Sequence, residues 1–273
     1  KQVRRPDIIV FVNGIPLVVI ECKRPDLKDG IKEAISQHLR NQKTDEIPEL
    51  YTYSQILVAL SQNKAMYSTT DTKAKFWAVW KEDEEKPNEQ ELLQLVNKPL
   101  SNEDKAKIFS ERDDYQRSFM EKTWKSGSRA ISPQDWAIYN LLRKDRLLEL
   151  VYQYIVYDNK VKKVCRYQQY YAIKATIARV TKQRGDSQRQ GGVIWHTTGS
   201  GKSLTMVMLA KALALEESIE NPKIILVTDR VDLDDQIYGT FKACGKHAEQ
   251  AESGEHLVDL VVNNKANIIT TII

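Results

Sequence analysis

Apolar and polar residues are distributed along the chain in a pattern that predicts an α/β protein. Near the start, two apolar runs flank Asn13-Gly14, a pair that favours a tight hairpin turn, so strands are expected over 8–12 and 15–20. In such a hairpin, residues whose numbers add to 27 lie opposite each other, for instance 12 with 15 and 10 with 17. Helical spacing follows over 31–40, a helix leading into a strand over 50–60, and strands over 65–70 and 76–80.

The rest of the chain alternates helices and strands. Short helices are expected over 91–96, after Ser101 and after Ser132, and a longer one over 143–154. The C-terminal third predicts a strand over 193–195, a helix over 204–215, a buried parallel strand over 224–228 and another strand over 267–272. We therefore divide the chain into a first α/β domain (1–85), a helical linker that packs the two domains together (86–160) and a domain with a parallel sheet (161–273).

Composition narrows the class of protein. The 273 residues are 41% hydrophobic and 29% charged, which is typical of a globular chain, and no apolar run approaches the ~20 residues of a membrane helix. The three cysteines are far apart, so the sequence favours a reducing, cytoplasmic location and no membrane partner. A net charge of +4 indicates only weakly that the partner is a nucleic acid.

A glycine loop is the strongest chemical signal. Gly199-Ser200-Gly201-Lys202-Ser203 lies between the predicted strand over 193–195 and the helix. Backbone N–H groups of such a loop, with that of Thr198, cradle phosphate oxygens; Lys202 would reach the β- and γ-phosphates of ATP and Ser203 would bind Mg²⁺. The first position of the usual G-x-x-x-x-G-K-[ST] pattern is His196, and a flexible surface loop remains the alternative.

Acidic residues gather at the open end of the hairpin. Asp7 precedes the first strand, and Glu21 and Lys23 end the second, two apart and therefore on one face. Asp7 and Glu21 can hold a hard divalent cation such as Mg²⁺, and Lys23 can stabilise charge on a phosphate. An exposed hairpin end with an ordinary salt bridge is the alternative.

The motif Pro6-Asp7, followed after a gap by Glu21-Cys22-Lys23, resembles the PD-(D/E)xK nuclease signature. Its hairpin resembles the nuclease domain of the restriction subunit of type I restriction-modification enzymes, which implies a mixed sheet with flanking helices and Mg²⁺-dependent DNA cleavage by Asp7, Glu21 and Lys23. The family also has a Gln-x-x-x-Tyr element, in which Gln37 matches and Asn41 stands where Tyr is expected. Gln37 or Asn41 would contact the DNA backbone, and His38 is expected at the surface.

The C-terminal part resembles a superfamily 2 motor with a RecA-like sheet. The glycine loop resembles motif I, and Arg166-Tyr167-Gln168-Gln169 resembles the Q-tip, in which Gln169 would read adenine and Arg166 would support the loop. Residues 229–233 resemble motif Ia, with Arg230 as a DNA-backbone contact or, alternatively, part of a helix-capping salt bridge, and 267–272 resemble motif Ib. The acidic Asp-Glu-x-His element does not follow, so we expect a fragment of a longer chain.

Together these resemblances imply an ATP-driven translocase on double-stranded DNA that is also an endonuclease. As the family implies, it would work with methyltransferase and specificity subunits against unmodified foreign DNA. Two alternatives remain open: a stand-alone helicase-nuclease, and a DNA-clamping module whose nuclease has decayed.

Overall fold

The computed structural model describes residues 3–82, 89–125, 127, 129–182, 189–197, 199–263 and 266–273. Its N-terminal sheet has the order β1-β2-β3-β4, formed by β1 (Ile8–Val12), β2 (Ile15–Lys23), β3 (Ile56–Ser61) and β4 (Lys64–Ser68). The outer pairs are antiparallel, whereas β2 and β3 are parallel because α1 (Gly30–Asn41) and α2 (Pro48–Tyr53) connect them. Asn13 and Gly14 have φ values of 50° and 80°, as the predicted tight turn requires.

The predicted register of the hairpin is wrong beyond the turn. Next to the turn the paired residue numbers add to 27, but from Val10 to the open end they add to 28, for instance 8 with 20. The additional residue is Leu17, which follows Pro16, a residue without the N–H that a regular ladder needs; proline is tolerated in strands at such bulges. The bulge brings Glu21, rather than Ile20, level with Asp7.

Side chains of the central strands alternate between two hydrophobic cores. On one face, Val19, Leu57 and Ala59 pack against α1 and α2, together with Ile31, Ala34, Ile35, Tyr51 and Trp77. On the other face, Val18, Ile20, Ile56, Val58 and Leu60 belong to the main core of the molecule. Burial on both faces explains the nearly continuous apolar runs of β2 and β3.

Helices occupy the middle of the chain: α3 (Glu89–Val96), α4 (Asn102–Phe109), α5 (Asp114–Lys125), α6 (Pro133–Leu142) and α7 (Lys144–Gln153). Ser101 and Ser132 cap α4 and α6 as their sequence positions predict, each accepting a hydrogen bond from a backbone N–H three residues on. The apolar pattern does not predict α5, in which none of the side chains that the structure describes is fully buried. The main core contains Val58, Leu150 and Met208, one residue from each of the three predicted segments. A shared core does not mark where one segment ends and the next begins, so the three-part division stays a prediction.

The C-terminal part begins with a hairpin of β5 (Ile155–Asp158) and β6 (Val161–Val164), followed by α8 (Tyr167–Val180) and α9 (Lys202–Ala214). A parallel sheet of order β7-β9-β8 follows, with β7 (Ile224–Thr228), β8 (Glu249–Gln250) and β9 (Ile268–Ile272). Helices α10 (Val231–Ala243) and α11 (Gly254–Val262) connect these strands. The mixed α/β class is confirmed, and the parallel strands linked by helices agree with the expected architecture of this part.

Three predicted strands differ from the structure. Residues 193–195 form no strand, and Val193 and Trp195 are 92% and 91% exposed, because no described strand lies beside them to accept their hydrogen bonds. β7 is not fully buried, since Val227 is 52% exposed on a face that the described residues leave uncovered. Residues 76–80 give a short 3₁₀ helix (Ala74–Phe76) and a single bridge from Ala78 to Tyr67. Among the described helices, none is long and apolar enough to cross a membrane.

Candidate functional site

Five side chains predicted for the nuclease site come together at the open end of the β1–β2 hairpin. This group, called the acidic site below, consists of Asp7 just before β1, Glu21 and Lys23 at the end of β2, and Gln37 and Asn41 on α1. Asp7 Oδ2 accepts a hydrogen bond from the backbone N–H of Cys22 at 2.6 Å, which ties the start of β1 to the end of β2. The last two turns of α1 lie over the same strand end, since Gln37 contacts Lys23 and Asn41 contacts Glu21.

Glu21 is buried, with 4% of its surface exposed, so an exposed hairpin end is excluded for this residue. Its burial raises the pKa of the carboxyl from 4.5 to about 7; the neighbouring charge of Asp7 adds to the rise, and Lys23 opposes it. Ionisation of this carboxyl is unfavourable because the group is shielded from water and lies next to a second carboxylate. A cation placed between the two groups would relieve both effects.

Lys23 is held by two partners on α1. Its Nζ donates a hydrogen bond to Gln37 Oε1 at 2.6 Å and lies 3.5 Å from Glu33 Oε1, with only 12% of the side chain exposed. The first residue of α1 is Gly30, where an added Cβ would lie 3.0 Å from the Cβ of Lys23. The glycine therefore lets α1 begin close enough to fix the lysine.

Asn41 is 2% exposed and donates a hydrogen bond from Nδ2 to Glu21 Oε1 at 3.4 Å. Its Oδ1 accepts from Nε and Nη2 of Arg40 at 3.1 and 3.0 Å. The amide is thus an internal support of Glu21, and the DNA contact predicted for this residue stays a prediction.

The expectation that His38 lies at the surface is wrong. The ring is fully buried beneath Trp77, at a centroid distance of 5.3 Å, and its two nitrogens contact Tyr51 and Val58. Burial lowers the pKa of His38 to about 4, so the ring is neutral. The sequence does contain a signal for this burial, because 31, 34, 35 and 38 follow the i, i+3, i+4, i+7 spacing of one buried helix face. Nothing in the sequence singles out Tyr51.

The acidic site fits a hard divalent cation. Its donors are two carboxylates, the ligand type that Mg²⁺ prefers, and the raised pKa of Glu21 reflects first its burial and then the charge of Asp7, both of which a bound cation would offset. In the part of the chain that the structure describes, no group of three or more His, Cys, Asp or Glu side chains could hold a metal. The other ligands would therefore be backbone oxygens, water or a bound phosphate, as is common for Mg²⁺.

The glycine loop turns sharply into α9. Gly199 and Gly201 have φ values of 74° and 87°, a region that side chains with a Cβ rarely adopt, and Gly201 is the N-cap of the helix. Ser200 Oγ donates to the carbonyl oxygen of Thr197 at 2.7 Å, which closes the turn. Lys202 is exposed and Ser203 half-buried at the helix start, both free to face a ligand, while Thr198 lies outside the described residues. Positive φ values and the N-terminus of a 13-residue helix suit phosphate oxygens.

Gln169 contacts the glycine loop from α8. Its Nε2 donates to Gly201 O and to Thr205 Oγ1, both at 3.1 Å, and its Oε1 accepts from the backbone N–H of Arg166 at 2.8 Å. Every polar atom of the amide is therefore occupied within the protein, and the side chain is 5% exposed. In this conformation Gln169 holds the loop against α8, and the predicted adenine contact stays a prediction.

Two cavities flank the glycine loop. The larger, about 760 Å³, lies between α8 and residues 190–197 and is lined by Arg166, Gln168, Thr176, Trp195 and His196 among others. The smaller, about 380 Å³, lies between the loop and the N-terminal sheet, with Gln169, Tyr67, Asp71 and Phe76 in its wall. The loop is accessible from both sides, with room for a nucleotide base beside it.

Arg230 lies immediately before α10 and forms an ion pair with Asp232 in the first turn of that helix. This is the helix-capping alternative considered from the sequence. The side chain is nevertheless 65% exposed, so the predicted DNA contact stays open.

Two family models match the chain at the two sites. Residues 1–76 match the N terminus of the type I restriction enzyme R protein, and residues 168–273 match the SWI2/SNF2 ATPase. The first match contains the whole acidic site, and the second contains Gln169, the glycine loop and Arg230.

Similar proteins cover nearly the whole chain. A relative from Methanocaldococcus jannaschii, named as the MjaIXP endonuclease subunit of a type I restriction enzyme, is 30% identical over 97% of the chain and 24% of its own length. The type I restriction enzyme HindI endonuclease subunit of Haemophilus influenzae is 31% identical over 96% of the chain and 22% of its own length. The SauCOLORF180P endonuclease subunit of Staphylococcus aureus is 26% identical over 98% of the chain and 24% of its own length. The chain thus spans about a quarter of the length of these relatives.

Proposed function

The chain belongs to the family of type I restriction enzyme R subunits, and from this premise we propose that it combines two activities. The acidic site would cleave double-stranded DNA with Mg²⁺, and the glycine loop would bind ATP for movement along that DNA. The buried Glu21 next to the exposed carboxylate of Asp7, with an anchored Lys23 beside them, is the observation that carries the cleavage proposal.

At the acidic site, Asp7 and Glu21 would hold Mg²⁺ through carboxylate oxygens. Once bound, Mg²⁺ stabilises negative charge on the phosphate that is cut and makes water a better nucleophile. The ammonium of Lys23 would face the same phosphate and stabilise its developing charge, since its position is fixed by the 2.6 Å bond to Gln37. Gln37 is then the residue that keeps this ammonium in place.

At the glycine loop, the first N–H groups of α9 and the ammonium of Lys202 would hold the phosphates of ATP, and the Ser203 hydroxyl would bind the accompanying Mg²⁺. The bonds of Gln169 to Gly201 and Thr205 keep the loop against α8 before a nucleotide enters. For Gln169 to contact adenine as the sequence predicts, these bonds would have to break. We therefore assign it first to the shape of the loop.

DNA binding would depend mostly on phosphate contacts. Arg230 is exposed beside its Asp232 partner and can exchange that carboxylate for a DNA phosphate. Binding through phosphates falls steeply with salt and carries no sequence information. Recognition of a DNA sequence would accordingly reside in a specificity subunit and protection of host DNA in a methyltransferase subunit, the partners that the family implies.

A pair of substitutions in the full-length protein tests the assignment of the two sites. Glu21→Ala should abolish DNA cleavage and leave DNA-stimulated ATP hydrolysis intact, whereas Lys202→Ala should abolish ATP hydrolysis. Glu103→Gln and Lys98→Ala, both on the surface far from either site in sequence, are the matched controls and should change neither activity. Cleavage that survives Glu21→Ala would place the nuclease elsewhere and refute the assignment of the acidic site.

A further inference from the structure

A series of buried polar side chains leads from the third strand of the N-terminal sheet to Glu21. Its members are His38, Tyr51 and Asn41, whose side chains are 0%, 3% and 2% exposed. All three residues are buried, and hydrophobic packing alone does not need three polar groups here. We call this series, from the Val58 carbonyl to the Glu21 carboxylate, the polar relay.

The direction of each bond in the relay follows from chemistry. His38 Nε2 lies 3.0 Å from the Val58 carbonyl oxygen, which can only accept, so this nitrogen carries the proton. In the neutral ring the other nitrogen, Nδ1, is then an acceptor. The Tyr51 hydroxyl lies 3.3 Å from Nδ1 and must therefore donate its proton to it.

The orientation of Asn41 is fixed independently. Arg40 has only donors to offer, so the atom of Asn41 that it contacts is the amide oxygen. The amide nitrogen consequently faces the interior, where it donates to Glu21 Oε1 at 3.4 Å. The same amide interacts with the Tyr51 hydroxyl and lowers the pKa of that phenol, against the larger rise caused by burial. The Asn41 amide thus stands between the phenol and the carboxylate.

We propose that His38, Tyr51 and Asn41 are positioning residues that fix the Glu21 carboxylate for its cation. The relay is anchored on β3, the strand that pairs with β2 and places Ala59 opposite Glu21. Because Oε1 receives the Asn41 proton, rotation of the carboxylate is restricted before any metal arrives. Asn41, which stands where the family has Tyr, lies at the centre of this relay. The phenol of the relay is that of Tyr51 on α2.

The inference rests on the proposed metal site and predicts a measurable loss of metal affinity when the relay is cut. Tyr51→Phe keeps the ring and removes only the hydroxyl, the group of Tyr51 that interacts with the Asn41 amide. Groups that orient a metal ligand typically change affinity by 10–100-fold when removed. The neighbouring Tyr53, 60% exposed on the same helix, offers Tyr53→Phe as a matched control.

The experiment measures binding of Mn²⁺, a paramagnetic stand-in for Mg²⁺, to the full-length protein by electron paramagnetic resonance without DNA or ATP. Tyr51→Phe and Asn41→Ala should each raise the dissociation constant of the Glu21-dependent site about tenfold or more. Tyr53→Phe should leave it unchanged, and ATP hydrolysis should persist in all three variants, which shows that they are folded.

The outcomes separate the relay from the metal site itself. If the unsubstituted protein binds Mn²⁺ in a manner that Glu21→Ala removes, but Tyr51→Phe and Asn41→Ala bind equally well, the relay is refuted and the metal site stands. If only Asn41→Ala weakens binding, the part of the relay beyond Asn41 is refuted. If the unsubstituted protein shows no Glu21-dependent binding, the proposed metal site fails and the relay with it.

Discussion

Replacing Glu21 with Gln should make the metal-free protein more stable at alkaline pH. Glu21 has a folded-state pKa of about 7 against an ordinary value of 4.5, with burial as the main cause and Asp7 as the second. The folded state therefore holds this proton more tightly than the unfolded chain. Stability from the neutral carboxyl is complete below about pH 4.5 and is lost as the pH rises through about 7. Gln has a similar shape, cannot ionise, and avoids this loss.

The magnitude follows from the shift. A change from 4.5 to about 7, at about 1.4 kcal/mol per pH unit, corresponds to about 3 kcal/mol of unfolding free energy. The difference in unfolding free energy between Glu21→Gln and the unsubstituted protein should thus grow in favour of the variant by about that amount from pH 4.5 to 8.5. Saturating Mg²⁺ should reverse the order at alkaline pH, because only the carboxylate binds the cation well and binding stabilises the folded state.

Urea unfolding in the presence of EDTA, at a series of pH values, measures this difference. Glu103→Gln, which removes an exposed carboxylate paired with Lys107, is the control and should show no comparable pH trend. If Glu21→Gln is not more stable than the unsubstituted protein at any pH of the series, the account of Glu21 as a buried carboxyl with a raised pKa is refuted.

Three further predictions concern the glycine loop and the core. Gly201→Ala should weaken ATP binding at least tenfold, because φ at this position is 87° and the new Cβ would lie 2.9 Å from Gln169 Nε2. Equilibrium titration with nucleotide measures the affinity, and an unchanged affinity would contradict the prediction. Gln169→Ala should also weaken ATP binding, whereas Gln168→Ala, one residue away, should have a smaller effect in the same titration. Leu150→Ala should lower the free energy of unfolding by about 2–5 kcal/mol in urea, because the side chain is fully buried in the main core; a loss below about 1 kcal/mol would contradict this.

Much of the N-terminal sheet follows from local pattern. The Asn-Gly turn, the two apolar runs beside it and the helix over 31–40 all have short-range signals that the structure bears out. The bulge at Leu17 has a weaker signal, because Pro16 indicates that the ladder is disturbed but not which residue is left unpaired. Asp7 and Glu21 meet in either register, so the grouping of the acidic site does not depend on that error.

The relay shows why the remainder of the acidic site is hard to predict. His38 has the spacing of a buried position, yet a histidine on a mostly polar helix is easily taken for a surface residue. Its partners, Tyr51 and Val58, come from α2 and β3, and only the fold brings them together. The strand expected over 193–195 fails for a related reason, since an apolar run becomes a strand only where a neighbour pairs with it.

Cleavage of covalently closed plasmid by the full-length chain tests the central claim most directly. The reaction would contain Mg²⁺, with and without ATP, and with and without the methyltransferase and specificity subunits. The account predicts cutting only when ATP and both partners are present, and no cutting by Glu21→Ala under the same conditions. Cutting by the chain alone would contradict the restriction-subunit account and favour a stand-alone nuclease.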